Sequence, residues 1–238
     1  MQSHISIPIK SEFITGELFT PEVPLVASML FCHGWTSKNT KYLKLAELLS
    51  TFGIQALAIN LRGHGDSTYR LEDYSRQDHL DDILAAIDYS NNRSAGKPFI
   101  LLGKSYGGYL SAIASSVRKV DFLIISQPAL YPDTDFNSPN SALIKNNPEI
   151  FRSRNESVST NRALKAIFQF ENPLLIIESE HDEEVLDTPK LYSNASKDNI
   201  NMTSIIIKDT DHPLSRPEWL NDFYEKISSW LQLENIIN

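Results

Sequence analysis

The stretch from Phe99 to Gly108 constrains the fold of this chain more than any other. Its first residues form an apolar run, which predicts a buried strand, and residues Gly103 to Gly107 read G-x-S-x-G. Apolar residues then recur at helical spacing up to Val117. Because glycines flank Ser105 where a tight turn brings backbone segments together, we expect this serine at the tip of a strand–turn–helix unit. Its hydroxyl would face a pocket above a helix N-terminus, and an ordinary strand–helix turn is the alternative.

Further apolar runs alternate with segments of helical spacing along the chain. The predicted strands cover 13–20, 25–32, 54–61, 99–102, 120–125, 174–177 and 203–207. The predicted helices cover 41–52, 76–89, 106–117 and 219–231. Strands that are apolar throughout are typical of a parallel sheet covered on both faces. We therefore predict an α/β fold with a mostly parallel central sheet flanked by helices, in a single domain over residues 1–238.

One long stretch, residues 127–171, interrupts this alternation. It lies between two predicted strands and contains four prolines together with many Asn and Ser residues. A connection of this length is typically an insertion with a function of its own. We predict a small cap or lid beside the strand end that leads to Ser105, and a surface excursion that covers a sheet edge is the alternative.

The composition of the chain argues against several classes of binding partner. The net charge is −8, which argues against a nucleic-acid surface and against an anionic membrane surface. The only cysteine, Cys32, excludes an internal disulfide, and we expect it to be buried. The first residues lack the pattern of a signal peptide and no apolar run is long enough to span a membrane, so we expect a cytoplasmic protein.

A serine hydroxyl is a weak nucleophile, so a base with a near-neutral pKa must lie beside it. Histidine is the natural choice, and in this topology the base must follow a strand at the carboxyl edge of the sheet. His212 has the best position, one loop past the last predicted strand. His181 is its chief rival.

The base also needs an anionic partner that fixes its tautomer. Asp182 ends the strand before that of His212, and Glu183 and Glu184 are the alternatives. The predicted set is then Ser105, Asp182 and His212, in the chain order expected when a serine turn lies in the middle of the sheet.

Several motifs taken together resemble those of the α/β-hydrolase fold, over essentially the whole chain. They are His33-Gly34-Trp35, the segment R-G-H-G-D-S over 62–67, the segment from Gly103 to Gly108, Asp182, and Asp211-His212. The resemblance implies Ser105 as nucleophile, His212 as base and Asp182 as acid. It also implies an oxyanion hole formed by the backbone N–H groups of Trp35 and Tyr106.

Other residues have structural interpretations. In the family that the chain resembles, the counterparts of His33 and His64 hold loop backbone, and we expect the same here. No spacing typical of a metal site and no glycine-rich phosphate motif is present, so we expect no metal and no cofactor. The charged run from Asp78 to Asp82 is interpreted as a solvated helix face. Lys104 departs from the family pattern, and we expect it to be buried and paired with a carboxylate, with an effect of its charge on which substrates bind as the alternative.

These residues together predict a serine hydrolase. The compact build is similar to that of small esterases of the feruloyl and cinnamoyl esterase and serine aminopeptidase-like group. We therefore expect a carboxylic ester of small to medium size as substrate, with no nucleic-acid or membrane partner. A serine peptidase, a thioesterase, a lipase and a non-catalytic ligand-binding receptor of the same fold stay open.

Overall fold

A computed structural model describes residues 1–65, 67–142 and 156–238 of the chain. The strands are β1 (Gln2–Ile9), β2 (Glu12–Phe19), β3 (Ala27–Cys32), β4 (Ile54–Asn60), β5 (Phe99–Lys104), β6 (Phe122–Ser126), β7 (Leu174–Ser179) and β8 (Met202–Ile207). The helices are α1 (Leu43–Thr51), α2 (Arg76–Asn91), α3 (Tyr106–Ser115), α4 (Arg162–Phe168), α5 (Thr188–Ala195) and α6 (Pro217–Leu233). Within these described ranges, no helix has both the length and the apolar character that crossing a bilayer requires.

The strands form one sheet in the order β1-β2-β4-β3-β5-β6-β7-β8. From β4 to β8 all neighbouring pairs are parallel, whereas β1 pairs antiparallel with β2, and β2 pairs antiparallel with β4. The sheet is therefore mostly parallel, as predicted. Strand β5 lies inside it, between β3 and β6, so the residue that follows β5 lies at the middle of the carboxyl edge.

The two faces of the sheet carry separate apolar clusters. Alternate residues of β5 point to opposite faces: Leu101 packs with α2 and α3, whereas Ile100 and Leu102 pack with α1 and α6. This explains why the strand is apolar throughout, since neither face meets solvent. Each such side chain contributes roughly 1.5–3 kcal/mol on burial. Cys32 is buried in the first cluster, as expected.

Local signals fix several element boundaries. Helix α2 begins after Ser75, whose hydroxyl and the Asp78 carboxylate form a reciprocal capping box. Helix α1 ends just before Gly53, whose φ of 88° is the left-handed conformation that ends helices. Both boundaries were visible in the sequence. Strand β1 and helices α4 and α5 were not predicted, although Ile5, Ile7 and Ile9 alternate with polar residues as a half-buried strand requires.

The insertion predicted over 127–171 is described only at its two ends, because residues 143–155 lie outside the described ranges. Its first limb is fastened to the start of α2: Gln77 N donates to Phe136 O (3.1 Å), and the Arg76 guanidinium donates to Pro132 O (2.7 Å). Asn161 caps α4 and also donates to Tyr131 O (2.8 Å), which joins the second limb to the first. The limbs are thus packed onto the domain, and a lid formed by the segment between them stays a prediction.

Candidate active site

Ser105 lies between the end of β5 and the start of α3, with φ 52° and ψ −116°. This left-handed backbone is rare for a residue with a side chain and costs on the order of 1–3 kcal/mol. Two glycines make the turn possible. A Cβ on Gly103 would lie 2.3 Å from Gly107 O, and one on Gly107 would lie 2.4 Å from Cys32 O. The predicted strand–turn–helix unit is therefore present, with helix α3 packed tightly against β3 and β5.

His212 and Asp182 meet on the loops that follow β8 and β7. His212 Nδ1 lies 2.7 Å from Asp182 Oδ2, and both side chains are less than a tenth exposed. Asp182 Oδ1 accepts hydrogen bonds from Glu184 N and Val185 N. Burial raises the pKa of the Asp182 carboxyl, but the hydrogen bond and charge of His212 and the two amides outweigh burial and lower it. An ionised Asp182 holds the proton of His212 on Nδ1 and leaves Nε2 as the basic nitrogen.

A cavity of about 590 Å³ is lined by three of the five predicted site residues. Ser105, His212 and Trp35 line it, and Glu184 lies on its wall with Oε2 3.8 Å from His212 Nε2. No hydrogen bond joins the Ser105 hydroxyl to His212 within the described part of the chain, which is common for such pairs before a ligand binds. The rival base His181 is exposed and is not part of the lining.

The two residues predicted to form an oxyanion hole both belong to segments that adjoin Ser105: Tyr106 follows it in the chain, and Trp35 follows Gly34, which packs against it. Tyr106 is the first residue of α3, where helix N–H groups point outward without a partner in the helix. Trp35 follows Gly34, at which a Cβ would lie 3.3 Å from the Ser105 Cβ. The Tyr106 ring is buried and packs edge-on against Trp35 at 5.1 Å, so Trp35 lines the cavity and the Tyr106 ring supports it from behind.

Buried histidines hold the loops beneath this cavity. His33 Nδ1 contacts Gly34 O at 2.8 Å, and His33 Nε2 accepts from Leu61 N, so the ring ties the loop after β3 to the end of β4. His64 contacts Arg62 O at 3.2 Å. Burial lowers the pKa of His33 to about 3 and that of His64 to about 4. Neither ring lines the cavity, which agrees with the structural roles expected of both.

His79 lies on helix α2 and not on a loop at the carboxyl edge of the sheet, so the sequence does not suggest it as the base. In the structure it is fully buried, and its Nδ1 lies 2.8 Å from the Tyr106 hydroxyl while its Nε2 lies 3.0 Å from Arg62 O. It therefore supports the residue next to the candidate nucleophile. Its position on the same face of α2 as Leu80 and Ile83 is the signal that could have revealed its burial.

The interpretation of residues 78–82 as a solvated helix face is wrong at Asp82. This carboxylate is fully buried and accepts hydrogen bonds from Arg62 Nε (2.7 Å) and Arg62 N (2.9 Å). The same guanidinium donates to Glu12 Oε2 (2.6 Å). The charged neighbours of Asp82 in the sequence suggest an exposed side chain. It is buried because its partner Arg62 comes from a distant loop, the one after β4.

The expected carboxylate partner of Lys104 is also absent within the described residues. Lys104 is buried, and its ammonium donates to Gln127 Oε1 and to the backbone oxygen of His212 (2.6 Å). Gln127 Nε2 donates in turn to Ser179 Oγ (2.8 Å). Burial lowers the pKa of Lys104 to about 7, although the charge of Asp182 opposes this shift. The network joins the ends of β5, β6 and β7 to the loop that holds His212, and sequence reasoning missed Gln127.

Comparison with known proteins agrees with this architecture, and the chain has the α/β-hydrolase fold. The family model described as serine aminopeptidase, S33, matches residues 24–192, so the chain belongs to that hydrolase family. The predicted superfamily and fold class are therefore confirmed. Among curated protein sequences, none matches the chain.

Solved structures resemble the chain over nearly its whole length. Est1E from Butyrivibrio proteoclasticus, with ferulic acid bound, aligns with a TM-score of 0.75 and 17% identity over 96% of this chain and 98% of its own. An esterase from Pyrococcus furiosus gives 0.74 and 17% over 98% and 91%. The monoacylglycerol lipase of Paleococcus ferrophilus gives 0.67 and 21% over 92% and 98%. At these identities the likeness establishes the fold and leaves the substrate to be argued from the site.

Proposed function

We propose that this chain is a serine hydrolase that cleaves carboxylic esters of small to medium size through an acyl-enzyme. One observation supports the proposal: Ser105 on its strained turn and His212, whose Nδ1 is held by the buried Asp182 carboxylate, border a single cavity. A base held in one tautomer by an ionised carboxylate is what a serine hydroxyl needs to become a nucleophile.

The proposed reaction begins when Ser105 Oγ attacks the ester carbonyl carbon and its proton passes to His212 Nε2. Asp182 stabilises the resulting imidazolium, and the backbone N–H groups of Trp35 and Tyr106 receive the oxyanion, each contributing roughly 10²–10³ in rate. The carbon–oxygen bond to the alcohol breaks, and the alcohol leaves with the proton from His212. Water then gives a proton to His212 and attacks the acyl carbon, and Ser105 takes the proton back as the carboxylic acid leaves.

The volume of the cavity favours a small substrate. Its volume of about 590 Å³ accommodates a compact ester and is bounded by residues from the loops after β3, β5, β7 and β8. Esterases and a lipase among the structural neighbours have the same fold. We expect a free small molecule as the partner of this protein and a cytoplasmic location.

A serine peptidase is the second candidate, because the matching family model is described as serine aminopeptidase and because Glu184 places a carboxylate in the cavity. A carboxylate there can bind the ammonium group of a peptide N-terminus. Aminoacyl para-nitroanilides therefore belong in the first substrate screen beside para-nitrophenyl esters of graded length.

The proposal is tested by labelling with a fluorophosphonate, which serine hydrolases take up by displacement of fluoride. We expect label on Ser105, no label in Ser105→Ala, and a loss of ester turnover of about 10⁴-fold or more in that variant. Ser116→Ala, at the exposed end of α3, is the matched control and should keep both. Absence of label and of turnover in the native chain contradicts the proposal, and label without turnover of any ester or anilide favours a ligand-binding receptor.

A further inference from the structure

The cavity differs in charge from the molecule that surrounds it. The whole chain carries a net charge of −8, yet the described residues that line the cavity include three lysines, Lys38, Lys41 and Lys104, and one carboxylate, that of Glu184. Within the described residues, none of these lysines has a carboxylate oxygen within 4 Å of its ammonium group. Among the described lining residues, side chains that can carry a positive charge therefore outnumber carboxylates, although the protein as a whole is acidic.

Two of these lysines are held close to the candidate base. Lys41 Nζ donates to Pro213 O at 3.2 Å, and Lys104 Nζ donates to His212 O at 2.6 Å. Burial lowers the pKa of Lys104 and the charge of Asp182 opposes this; the charge of Lys41 lowers this pKa further, and the charges of Glu184 and Asp211 raise it. The charge of each of these two lysines disfavours the charge of the other, and an anion that binds beside them stabilises the protonated form of both.

The wall that carries Lys38 and Lys41 is also rich in hydroxyl groups. The turn from Thr36 to Lys41 joins β3 to α1, and Thr36, Ser37 and Thr40 line the cavity beside the two lysines. A wall of this kind supplies ammonium and hydroxyl donors. It suits the oxygen atoms of an anionic group far better than a hydrocarbon chain.

We propose that the wall formed by Thr36, Ser37, Lys38, Thr40 and Lys41 binds an anionic group of the substrate, so that esters carrying a carboxylate are preferred over neutral esters of the same length. This inference rests on the proposed ester hydrolysis for its reaction and adds the class of substrate. The anionic group is not consumed, since water cleaves only the ester bond attached to the Ser105 acyl carbon. The carboxylate of Glu184 directs the substrate anion away from its own side of the cavity and toward the lysines.

The test compares two esters that differ only in charge: the mono-para-nitrophenyl ester of adipic acid and its methyl ester at the far carboxyl. We expect kcat/KM at low ionic strength to favour the anionic ester by about tenfold, and each of Lys38→Gln and Lys41→Gln to reduce this preference by about threefold. The double variant should abolish the preference. Added salt should also reduce it, because the Debye length falls to about 3 Å at 1 M.

Lys44→Gln is the matched control, because Lys44 is exposed on the first turn of α1, outside the cavity, and the replacement changes the net charge equally. The preference should be unchanged in this variant. The proposed anion site is contradicted if the native chain prefers the methyl ester, or if the double variant keeps the preference for the anionic ester.

Failure of this inference can be told apart from failure of the proposed function. If both esters are hydrolysed at equal rates, the hydrolase proposal stands and the anion site is rejected. If neither ester is hydrolysed, a binding measurement tests the anion site by itself. Adipate should then raise the melting temperature of the native chain more than dimethyl adipate does. The double lysine variant should lose this difference. An equal effect of the two compounds on the native chain rejects the anion site.

Discussion

Asp182 and Glu184 lie on the same loop, and each has an oxygen near His212, but they face different nitrogens. Asp182 Oδ2 lies 2.7 Å from Nδ1, whereas Glu184 Oε2 lies 3.8 Å from Nε2, the nitrogen that would receive the Ser105 proton. Only the first arrangement leaves Nε2 available as a base. The structure therefore favours Asp182 over Glu184 as the residue that orients His212.

Exchange of each carboxylate for its amide tests this assignment. Asp182→Asn should lower kcat for ester hydrolysis by about 10³–10⁴-fold, because an amide stabilises the wrong tautomer of His212 and cannot stabilise the imidazolium. Glu184→Gln has nearly the same shape and should change kcat by less than about tenfold. Steady-state kinetics on both variants decides, with circular dichroism to check that they fold. A larger loss of kcat in Glu184→Gln contradicts the assignment.

At the scale of elements, one buried ion pair fastens α2 to the loop after β4. Arg62 contacts Asp82 on α2 and Glu12 on β2, so three elements meet at one guanidinium. The same loop supplies the carbonyl that His79 contacts beneath Tyr106. The position of the candidate oxyanion-hole residue Tyr106 therefore depends on this pair.

Arg62→Met should lower the free energy of unfolding by about 3–5 kcal/mol, because it leaves the fully buried Asp82 carboxylate without its charged partner. Denaturant unfolding followed by circular dichroism measures this. Adding Asp82→Leu in the same chain should recover most of the loss. Arg118→Met, which breaks the exposed pair of Arg118 and Asp88, is the control and should cost less than about 1 kcal/mol. Equal losses in the two single variants would contradict the argument.

The elements that the sequence predicted well are those with strong local signals. The turn at Ser105 was predicted because two glycines, an apolar run and a helical repeat lie within twenty residues of one another. The partners of Lys104 and Asp82 were missed because they come from distant parts of the chain: Gln127 is 23 residues from Lys104, and Arg62 is 20 residues from Asp82. Which side chains on different loops come together depends on the order of the strands in the sheet. A short sequence pattern does not determine that order.

At the scale of the whole molecule, buried histidines make stability depend on pH. His33 and His64 keep pKa values of about 3 and about 4 in the fold, against a usual 6.5. Below pH 6.5 the unfolded chain binds protons that the folded chain does not, so stability falls as the pH falls toward 4. Above pH 6.5 these rings are neutral in both states, so they no longer make the free energy of unfolding depend on pH.

We expect each of these two histidines to reduce the free energy of unfolding by about 2 kcal/mol between pH 7 and pH 5. Urea unfolding at a series of pH values measures the slope. His64→Gln should make the slope shallower, although it also lowers stability at pH 7 by removal of the contact to Arg62. His181→Gln, at an exposed position, is the control and should leave the slope unchanged. A slope that His64→Gln does not alter would contradict the prediction.

The left-handed backbone at Ser105 has a consequence for the molecule as a whole. It is imposed by glycine contacts and by the hydrogen bond from Ser105 N to Ser126 O (2.8 Å), all of which form as the chain folds and none of which needs a ligand. The conformation of the candidate nucleophile Ser105 is thus preorganised, and the packing of the entire domain offsets its energetic cost. Replacements that allow an ordinary backbone conformation at this turn should therefore raise the melting temperature and lower kcat.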